Sequence, residues 1–538
     1  MSRAVHWRIG AVVIGAVVFA PLAVVFASFL RPDDGVWRHL VDTLLAELLV
    51  NTAWLVAGVG LGTVVLGISL AWLVAAFDFP LRKFFDWALM LPLALPAYVI
   101  AFVAIGLFDF TGPVQTMLRA WLGAERLWFP PIRSTGGVIG VMTLALYPYV
   151  YLLARNAFLT QGRRGLEVAQ SLGHDRLGGF FRVSLPMARP WIVGGVSLVL
   201  METLADFGAV SVFNYDTFTT AIYKAWFSLF SLPTAAQLSS VLVLMVFILL
   251  VVEQRVRANM RYAPAGRGAI TGDRVRLNRR AGWLACGYCA GILLVAFVLP
   301  VLQIGVWAVS VMERDLDGRY LAFLSHSVVL AAGAAVLCSG CAVILIYATR
   351  HGAALWLWLV TRVATMGYAL PGTVLAVGIF MLLTWMDRRI IESASALFGV
   401  QTGPLLTGTV AAMLLAYTIR FLAVAHNPIE SAIQRITQSV DEAAYSLGAG
   451  GMRLFRAVHF PMIKGGLLTG LILVFVDVMK EMPITLMTRP FGWDTLSVRI
   501  FEMTSEGEWE RAALPAAVLV LVGLLPVVLV ARHSRPEG

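Results

Sequence analysis

Apolar stretches of about 20 residues or more recur along this chain of 538 residues, and each is long enough to cross a bilayer as a helix. Only 13% of the residues are charged, which is about half of what a soluble domain carries. A membrane β-barrel would instead show alternation in segments of about ten residues. The sequence therefore predicts an all-α polytopic membrane protein with about 12 transmembrane helices. The predicted spans cover residues 10–30, 48–76, 86–108, 136–157, 191–212, 237–254, 283–311, 325–348, 355–383, 405–426, 465–487 and 512–532.

One polar segment between predicted spans occurs twice. Residues 167–186 read EVAQSLGHDRLGGFFRVSLP, and residues 442–461, which begin 275 positions later, read EAAYSLGAGGMRLFRAVHFP. The same offset separates the Leu-Pro pairs at residues 95–96 and 370–371. Because each half has an even number of helices, the halves are expected to be parallel repeats related by a pseudo-two-fold axis along the membrane normal. The predicted domains are residues 1–255 and 283–538, joined by a basic linker at 256–282.

Arginine in the loops sets the predicted orientation. The stretch from Glu253 to Arg280 contains eight arginines against two acidic residues, and such an excess is typical of cytoplasmic loops. Counting helices outward from this linker places both termini and both copies of the repeated segment on the cytoplasmic side. The same excess of arginine accounts for the net charge of +10, so this charge does not indicate binding of nucleic acid. The first span could be mistaken for a signal peptide, but its counterpart at 283–311 is internal, so both are expected to be retained.

Each copy of the repeated segment can form a short amphipathic helix. Gly173 and Gly448 are expected to end these helices, because glycine tolerates the left-handed conformation at a helix C-terminus. A short helix between two membrane spans can lie in a groove of a partner protein. The alternative is an interfacial helix that rests on lipid headgroups. The duplicated spacing favours docking to a partner.

The repeated segment resembles the Glu-Ala-Ala signature, or EAA motif, of permeases from binding-protein-dependent ABC importers. In that family the motif forms the coupling helix, which enters a cleft of a separate cytoplasmic ATPase. The second copy matches fully, and the first copy departs from the pattern at Val168. The resemblance implies an ATPase-coupling role for Glu167, Ala169, Gly173 and Pro186 in the first copy and for Glu442, Ala443, Ala444, Gly448 and Pro461 in the second.

Two such motifs in one chain, together with residues 201–227 and 477–496, resemble the fused permeases of ferric-iron uptake. The resemblance implies the type I ABC importer permease fold in the bacterial cytoplasmic (inner) membrane. It implies a periplasmic solute-binding protein and two copies of a cytoplasmic ATP-binding subunit as partners. It also implies a transport subunit that is not an enzyme and holds no cofactor, with ATP bound by the partner. Thiamine, a polyamine or another small cation is an alternative cargo to ferric iron.

The sequence itself offers no phosphate-binding loop of the Walker A type. That loop needs a lysine directly after a glycine, and none of the four lysines of this chain follows a glycine. Any ATP that drives transport is therefore expected to bind elsewhere.

Two pairs of acidic residues lie inside predicted spans at equivalent positions. Glu202 and Asp206 are four residues apart and share a helix face, and Asp477 and Glu481 repeat the pair 275 residues later. A carboxylate at the bilayer centre costs at least about 2.5–3.5 kcal/mol, so these groups are expected to face water, a partner or a substrate. They predict a weak cation pathway in which Lys480 neutralises one carboxylate. The alternative is that the acids satisfy helix ends or neighbouring helices.

Other functions find less support. An ion-coupled secondary transporter could use the same acids to carry protons, but it would need no docking segments. A membrane enzyme is disfavoured because the histidines at 174, 351, 426 and 459 do not have metal-ligand spacing. Two C-x-x-C pairs lie in apolar helices, where cysteine packs as a small hydrophobic residue. We expect packing rather than metal binding at Cys286, Cys289, Cys338 and Cys341.

Overall fold

The computed structural model describes residues 2–30, 35–123, 128–162, 175–258, 274–350, 354–399 and 403–533. Within these ranges, 11 helices are long and apolar enough to cross a membrane, or up to 12 if one bent pair is a single span. The predicted all-α fold with about 12 spans is confirmed. The described part of the chain contains one short sheet, in which β1 (Phe77–Asp78) pairs in parallel with β2 (Val275–Arg276).

Before the linker, long membrane helices alternate with short helices. Tighter 3₁₀ turns at Ser28–Leu30 and Leu91–Ala94 and wider π turns at Phe158–Gly162 and Phe180–Ser184 interrupt or extend them. The α-helices are α1 (Ser2–Ala27), α2 (Val36–Thr43), α3 (Leu45–Ala76), α4 (Arg82–Ala88), α5 (Ala97–Phe108), α6 (Pro113–Leu122), α7 (Thr135–Ala157), α8 (Arg176–Gly179), α9 (Leu185–Ala205), α10 (Gly208–Val212), α11 (Phe218–Phe227) and α12 (Leu232–Ala258).

After the linker the same alternation of long and short helices returns. A 3₁₀ turn lies at Met366–Ala369, and π turns lie at Leu294–Val298 and Phe455–His459. The α-helices are α13 (Arg279–Leu293), α14 (Leu299–Asp315), α15 (Gly318–Arg350), α16 (Leu355–Thr365), α17 (Gly372–Phe398), α18 (Val410–Ile433), α19 (Gln438–Ser446), α20 (Met452–Leu454), α21 (Phe460–Lys480), α22 (Pro483–Thr488), α23 (Leu496–Ser505) and α24 (Trp509–His533).

The repeated Leu-Pro pairs break two helices that the sequence analysis predicted to be continuous. Leu370 adopts φ −89° and ψ 134°, and the helical segments on either side of it meet at 117°. Leu95 has nearly the same conformation, so the span predicted at 86–108 begins only at α5. The cause is local, because the ring of a following proline clashes with a helical conformation of the preceding residue.

The fifth and eleventh predicted spans also end earlier than expected. We predicted helices to residues 212 and 487, but α9 ends at Ala205 and α21 at Lys480. Asp206 and Glu481 follow in an extended conformation, with ψ of 129° and 117°. Each then precedes a short helix, α10 or α22. Both repeats therefore contain the same interruption at equivalent acidic residues.

The chain folds into two compact units that do not coincide with the sequence repeats. The first unit consists of Met1–Leu40, Ala221–Val243 and Arg314–Glu502, and the second of Val41–Thr220, Leu244–Glu313 and Met503–Gly538. Each unit therefore takes helices two to five from one repeat and helix one from the other, and the boundary between the units falls inside α12, after Val243. The domain limits predicted at 1–255, 256–282 and 283–538 describe the sequence repeat and stay a prediction.

In the first unit, α21 packs closely against α18. A Cβ atom added at Gly466 of α21 would lie 2.5 Å from the carbonyl oxygen of Pro428 in α18. Only a residue without a side chain permits this approach, as is common where membrane helices pack through small residues. In the same unit, the carbonyl oxygen of Val25 in α1 accepts a hydrogen bond from the hydroxyl of Ser240 in α12 at 3.0 Å.

Candidate coupling and translocation sites

The second EAA segment forms the short helix that the sequence predicted. Thr437 precedes α19 with extended backbone, and the helix ends at Ser446, followed by Leu447 as its C-terminal cap. Gly448 follows with φ +75°, and its amide donates to the carbonyl oxygen of Tyr445 at 2.9 Å. The amide of Ala449 donates to the carbonyl oxygen of Ala444 at 2.9 Å. Gly448 is thus the left-handed residue that closes this helix.

The side chains of α19 divide into a buried and an exposed face. Ala444 is buried, whereas Glu442 and Ala443 are exposed. Leu447 is 85% exposed, which leaves a large apolar side chain at the tip of the segment. Pro461 lies in the first turn of α21 and is exposed as well. This segment therefore presents a compact, partly apolar surface to a partner.

A polar cluster anchors the beginning of α19. Nη2 of Arg350 lies 2.7 Å from Oδ2 of Asp441, and Nε2 of His459 donates to Oδ1 at 2.7 Å. The hydroxyl of Tyr347 forms a hydrogen bond with Nδ1 of the same histidine. Partial burial acts to raise the pKa of Asp441, but the hydrogen bonds and charges of His459 and Arg350 outweigh it and hold that pKa below its ordinary value.

The first EAA segment is only partly described. Glu167, Ala169 and Gly173 lie outside the described residues. Pro186 is the second residue of α9, which is the position that Pro461 occupies in α21. Both prolines lie where a proline fits a helix, since the first turn needs no backbone donor.

Asp206 caps the short helix that follows the break in the first repeat. Its Oδ1 accepts hydrogen bonds from the amides of Ala209 at 2.9 Å and Val210 at 3.1 Å. Its carbonyl oxygen accepts from the hydroxyl of Thr219 at 2.6 Å. Glu202 lies one turn earlier on α9 and is partly buried. The carboxylate of Asp206 therefore satisfies a helix end, which is the alternative that the sequence analysis left open.

Glu481 has the equivalent role in the second repeat. Its Oε1 accepts from the amide of Ile484 at 3.2 Å, and its carbonyl oxygen accepts from the hydroxyl of Ser497 at 2.9 Å. Its Oε2 also lies 3.2 Å from Nε of Arg420. Nη1 of Arg420 donates to the carbonyl oxygen of Leu370 at 2.7 Å. One arginine thus connects the break at Glu481 with the break at Pro371.

Lys480 and Asp477 lie on the last turn of α21. Asp477 acts electrostatically on Lys480, whereas Glu481 is paired with Arg420. The sequence analysis overlooked Arg420, although an arginine inside the apolar span predicted at 405–426 was a visible signal.

A second repeated motif was also overlooked. The hydroxyls of Thr217 and Thr219 lie 3.0 Å apart, and those of Thr495 and Ser497 lie 3.1 Å apart. Each pair follows an aspartate in the stretches DTFT and DTLS. The offset between them is 278 residues, from position 217 to position 495, so a search at a fixed 275 misses the motif. These hydroxyls fasten the chain after each acidic break.

The four cysteines are free thiols. Cys286 and Cys289 lie in an apolar core together with Tyr147 and Leu293, and Cys338 is buried against α18. Among the residues that the structure describes, no group of three His, Cys, Asp or Glu side chains could hold a metal ion.

The comparison with known families accounts for both repeats. Residues 63–258 and 340–537 each match the family described as "Binding-protein-dependent transport system inner membrane component". The chain belongs to this family. It is therefore a multi-pass inner-membrane transport subunit of an ABC importer, and it works with a binding protein and an ATPase. The two matched regions show that this permease is a fusion of two family modules.

Individual relatives of this permease differ in the cargo that their names state. The Fe(3+)-transport system permease protein FbpB 2 of Haemophilus influenzae is 29% identical over 91% of this chain and 90% of its own length. The ferric transport system permease protein FbpB of Actinobacillus pleuropneumoniae is 19% identical over 95% of this chain and 75% of its own. A probable molybdenum ABC transporter permease of Haloferax volcanii is 31% identical over 43% of this chain and 78% of its own.

Proposed function

We propose that this permease moves ferric iron into the cytoplasm, with energy from ATP that a separate subunit binds and hydrolyses. The observation that carries the proposal is the exposed α19 helix, which is closed by Gly448 and carries Glu442 and Ala443 on its surface. A helix of this kind fits a groove in a partner. In this proposal the chain itself needs no cofactor and performs no covalent chemistry.

The proposed motor consists of two ATPase subunits, one for each EAA segment. Glu442, Ala443, Ala444, Gly448 and Pro461 form one contact, and Glu167, Ala169, Gly173 and Pro186 form the equivalent contact in the first repeat. Both segments lie on the cytoplasmic side in this proposal, as do both termini. Arg255 borders the linker, and Arg257, Arg274 and Arg276 lie within it. They support that orientation, because arginine accumulates in cytoplasmic loops.

Ferric iron is favoured over an oxyanion for two reasons. The two relatives that match nearly the whole chain are named as ferric permeases, whereas the molybdenum relative matches less than half of it. Acidic residues also suit a cation, since hard cations prefer oxygen ligands. The cargo is delivered by a periplasmic binding protein, which binds it tightly. The pathway itself binds the ion weakly, because a tight site would trap it.

We assign the acidic residues at the breaks two different tasks. Asp206 and Glu481 hold the backbone where α9 and α21 end, since both cap the following short helix. Glu202 and Asp477, one turn earlier, are the stronger candidates for contact with a passing cation, with Lys480 as the counter-charge of Asp477. All five residues belong to the proposed translocation pathway.

The decisive experiment is reconstitution of the permease in proteoliposomes with its ATPase, using a binding protein loaded with ferric iron. Uptake of iron should require both ATP and the ATPase. Uptake without any ATPase, driven by a proton gradient, would instead identify a secondary transporter. Uptake of molybdate but not of iron under the same conditions would overturn the assigned cargo.

A further inference from the structure

The second EAA segment is attached to the membrane helices by a buried polar cluster. The side chain of His459 is 1% exposed. It lies between the carboxylate of Asp441, at 2.7 Å, and the hydroxyl of Tyr347. Arg350 completes the cluster, because its Nη2 lies 2.7 Å from Oδ2, the other carboxylate oxygen of Asp441. We call these four residues the polar clamp.

The members of the polar clamp come from three different elements. Asp441 lies in the first turn of α19, Tyr347 and Arg350 lie at the end of α15, and His459 ends the π turn that leads into α21. Arg350 also donates to the carbonyl oxygens of Ile433 and Ile436, at 3.4 Å and 3.2 Å. One guanidinium therefore binds the end of α18 and the start of α19 at once. A displacement of α19 cannot occur without moving these helices or breaking charged hydrogen bonds.

The equivalent positions in the sequence of the first repeat carry other residues. The residues 275 positions before Tyr347, Arg350 and His459 are Trp72, Ala75 and Ser184. The ring of Trp72 packs instead against Phe158 at 5.1 Å and Phe180 at 4.7 Å between centroids. The position equivalent to Asp441 is Leu166, which lies outside the described residues. The polar clamp therefore has no charged counterpart in the sequence of the first repeat.

Aromatic packing and charged hydrogen bonds respond differently to motion. An aromatic contact is tolerant of small rotations, because its energy depends mainly on buried area and on broad geometric preferences. A hydrogen-bonded ion pair has a narrow range of distance and angle. An element held by the second kind of contact follows its neighbours closely, whereas one held by the first kind can shift against them.

We propose that the polar clamp is the positioning element that transmits ATPase movement from α19 to α15 and α21. Through the clamp, the second segment is joined to the membrane helices by charged hydrogen bonds. This inference depends on the ATPase-coupling role proposed above. His459 and Asp441 act through α19 and contact neither cargo nor nucleotide.

The test uses the reconstituted complex of permease, ATPase and binding protein, and compares three variants of the clamp. His459→Phe removes both hydrogen bonds of the imidazole, and Asp441→Asn removes the charge. His459→Gln retains a donor that can reach Asp441. Ser184→Ala at the equivalent position of the first repeat is the matched control. The readouts are the ATPase that co-purifies with the permease and the iron transported per ATP hydrolysed.

We expect His459→Phe and Asp441→Asn to retain the ATPase but to lower the transport per ATP by about tenfold, because charged hydrogen bonds are lost. His459→Gln should recover to within about twofold of the wild type, and Ser184→Ala should differ by less than about twofold. Normal coupling in Asp441→Asn, or equal losses in His459→Gln and His459→Phe, would overturn the clamp. If His459→Phe does not fold, the transport per ATP of Asp441→Asn and His459→Gln still tests the clamp. A wild-type complex that binds no ATPase would instead refute the proposed function.

Discussion

Arg420 lies 3.2 Å from Glu481, measured from Nε to Oε2, and this pair joins the two places where the membrane helices of the second repeat are interrupted. Both residues are buried, with 9% and 7% exposure. Glu481 caps α22, and Arg420 satisfies the carbonyl oxygen of Leu370 before Pro371. An apolar sequence alone could not hold two such breaks, because each exposes backbone groups that need partners inside the bilayer.

Replacing Arg420 should destabilise the first unit strongly. Arg420→Ala leaves the carboxylate of Glu481 buried without its cation, and loss of one partner of a buried pair costs about 3–5 kcal/mol. Thermal unfolding in detergent should show a clear decrease in Tm. The double variant Arg420→Met, Glu481→Met should show a smaller decrease in Tm, since no isolated charge remains buried. Equal Tm values for Arg420→Ala and the wild type would contradict a stabilising role of this pair.

Gly448→Ala tests the backbone requirement at the end of α19. The new Cβ would meet no atom within 4 Å. Any destabilisation of this helix end therefore arises from the φ of +75°, and it costs about 1 kcal/mol. We expect weaker association with the ATPase, measured by co-purification.

Gly465→Ala in α21 is the matched control for Gly448→Ala. Its Cβ also meets no atom within 4 Å, but its backbone is helical, and alanine favours a helix by about 1 kcal/mol. Weaker association in both variants would show that the left-handed conformation of Gly448 is not the cause.

The attachment of α19 should weaken in acid. The pKa of Asp441 is lowered in the folded protein, so its stabilising contribution is complete above the unfolded value of about 4 and is lost as the pH falls through the folded value. The difference in Tm between the wild type and Asp441→Asn should be constant near neutral pH and should shrink below about pH 4. A difference that grows in acid would have the opposite sign from the one expected.

Glu202→Gln and Asp477→Asn should reduce the uptake of ferric iron while leaving the ATPase bound. We expect a loss of at least about tenfold for the pair of substitutions, because intramembrane carboxylates most often mark an ion route. Glu506→Gln provides the control, since Glu506 is exposed and lies outside the proposed pathway. Unchanged iron uptake in the double variant would remove these two residues from the pathway.

The sequence predicted most of the helices, including the short helix of the second EAA segment, because these helices depend on local signals. Apolar stretches of sufficient length specify spans, and Gly448 ends α19 through its own backbone freedom. The breaks after Ala205 and Lys480 were missed, since an acidic residue can either continue a helix or cap the next one. That choice depends on distant partners such as Thr219 and Arg420, which no local pattern contains.

Likewise, no local signal predicts that each compact unit combines helices from both repeats. This arrangement affects how the protein is inserted into the membrane. α1 leaves the ribosome long before Arg314–Glu502, the segment with which it shares a unit. During insertion only the Ala221–Val243 part of this unit is available to α1 until the later helices arrive. Two separately expressed repeats would consequently each be an incomplete fragment, and they would become stable only after finding one another in the membrane.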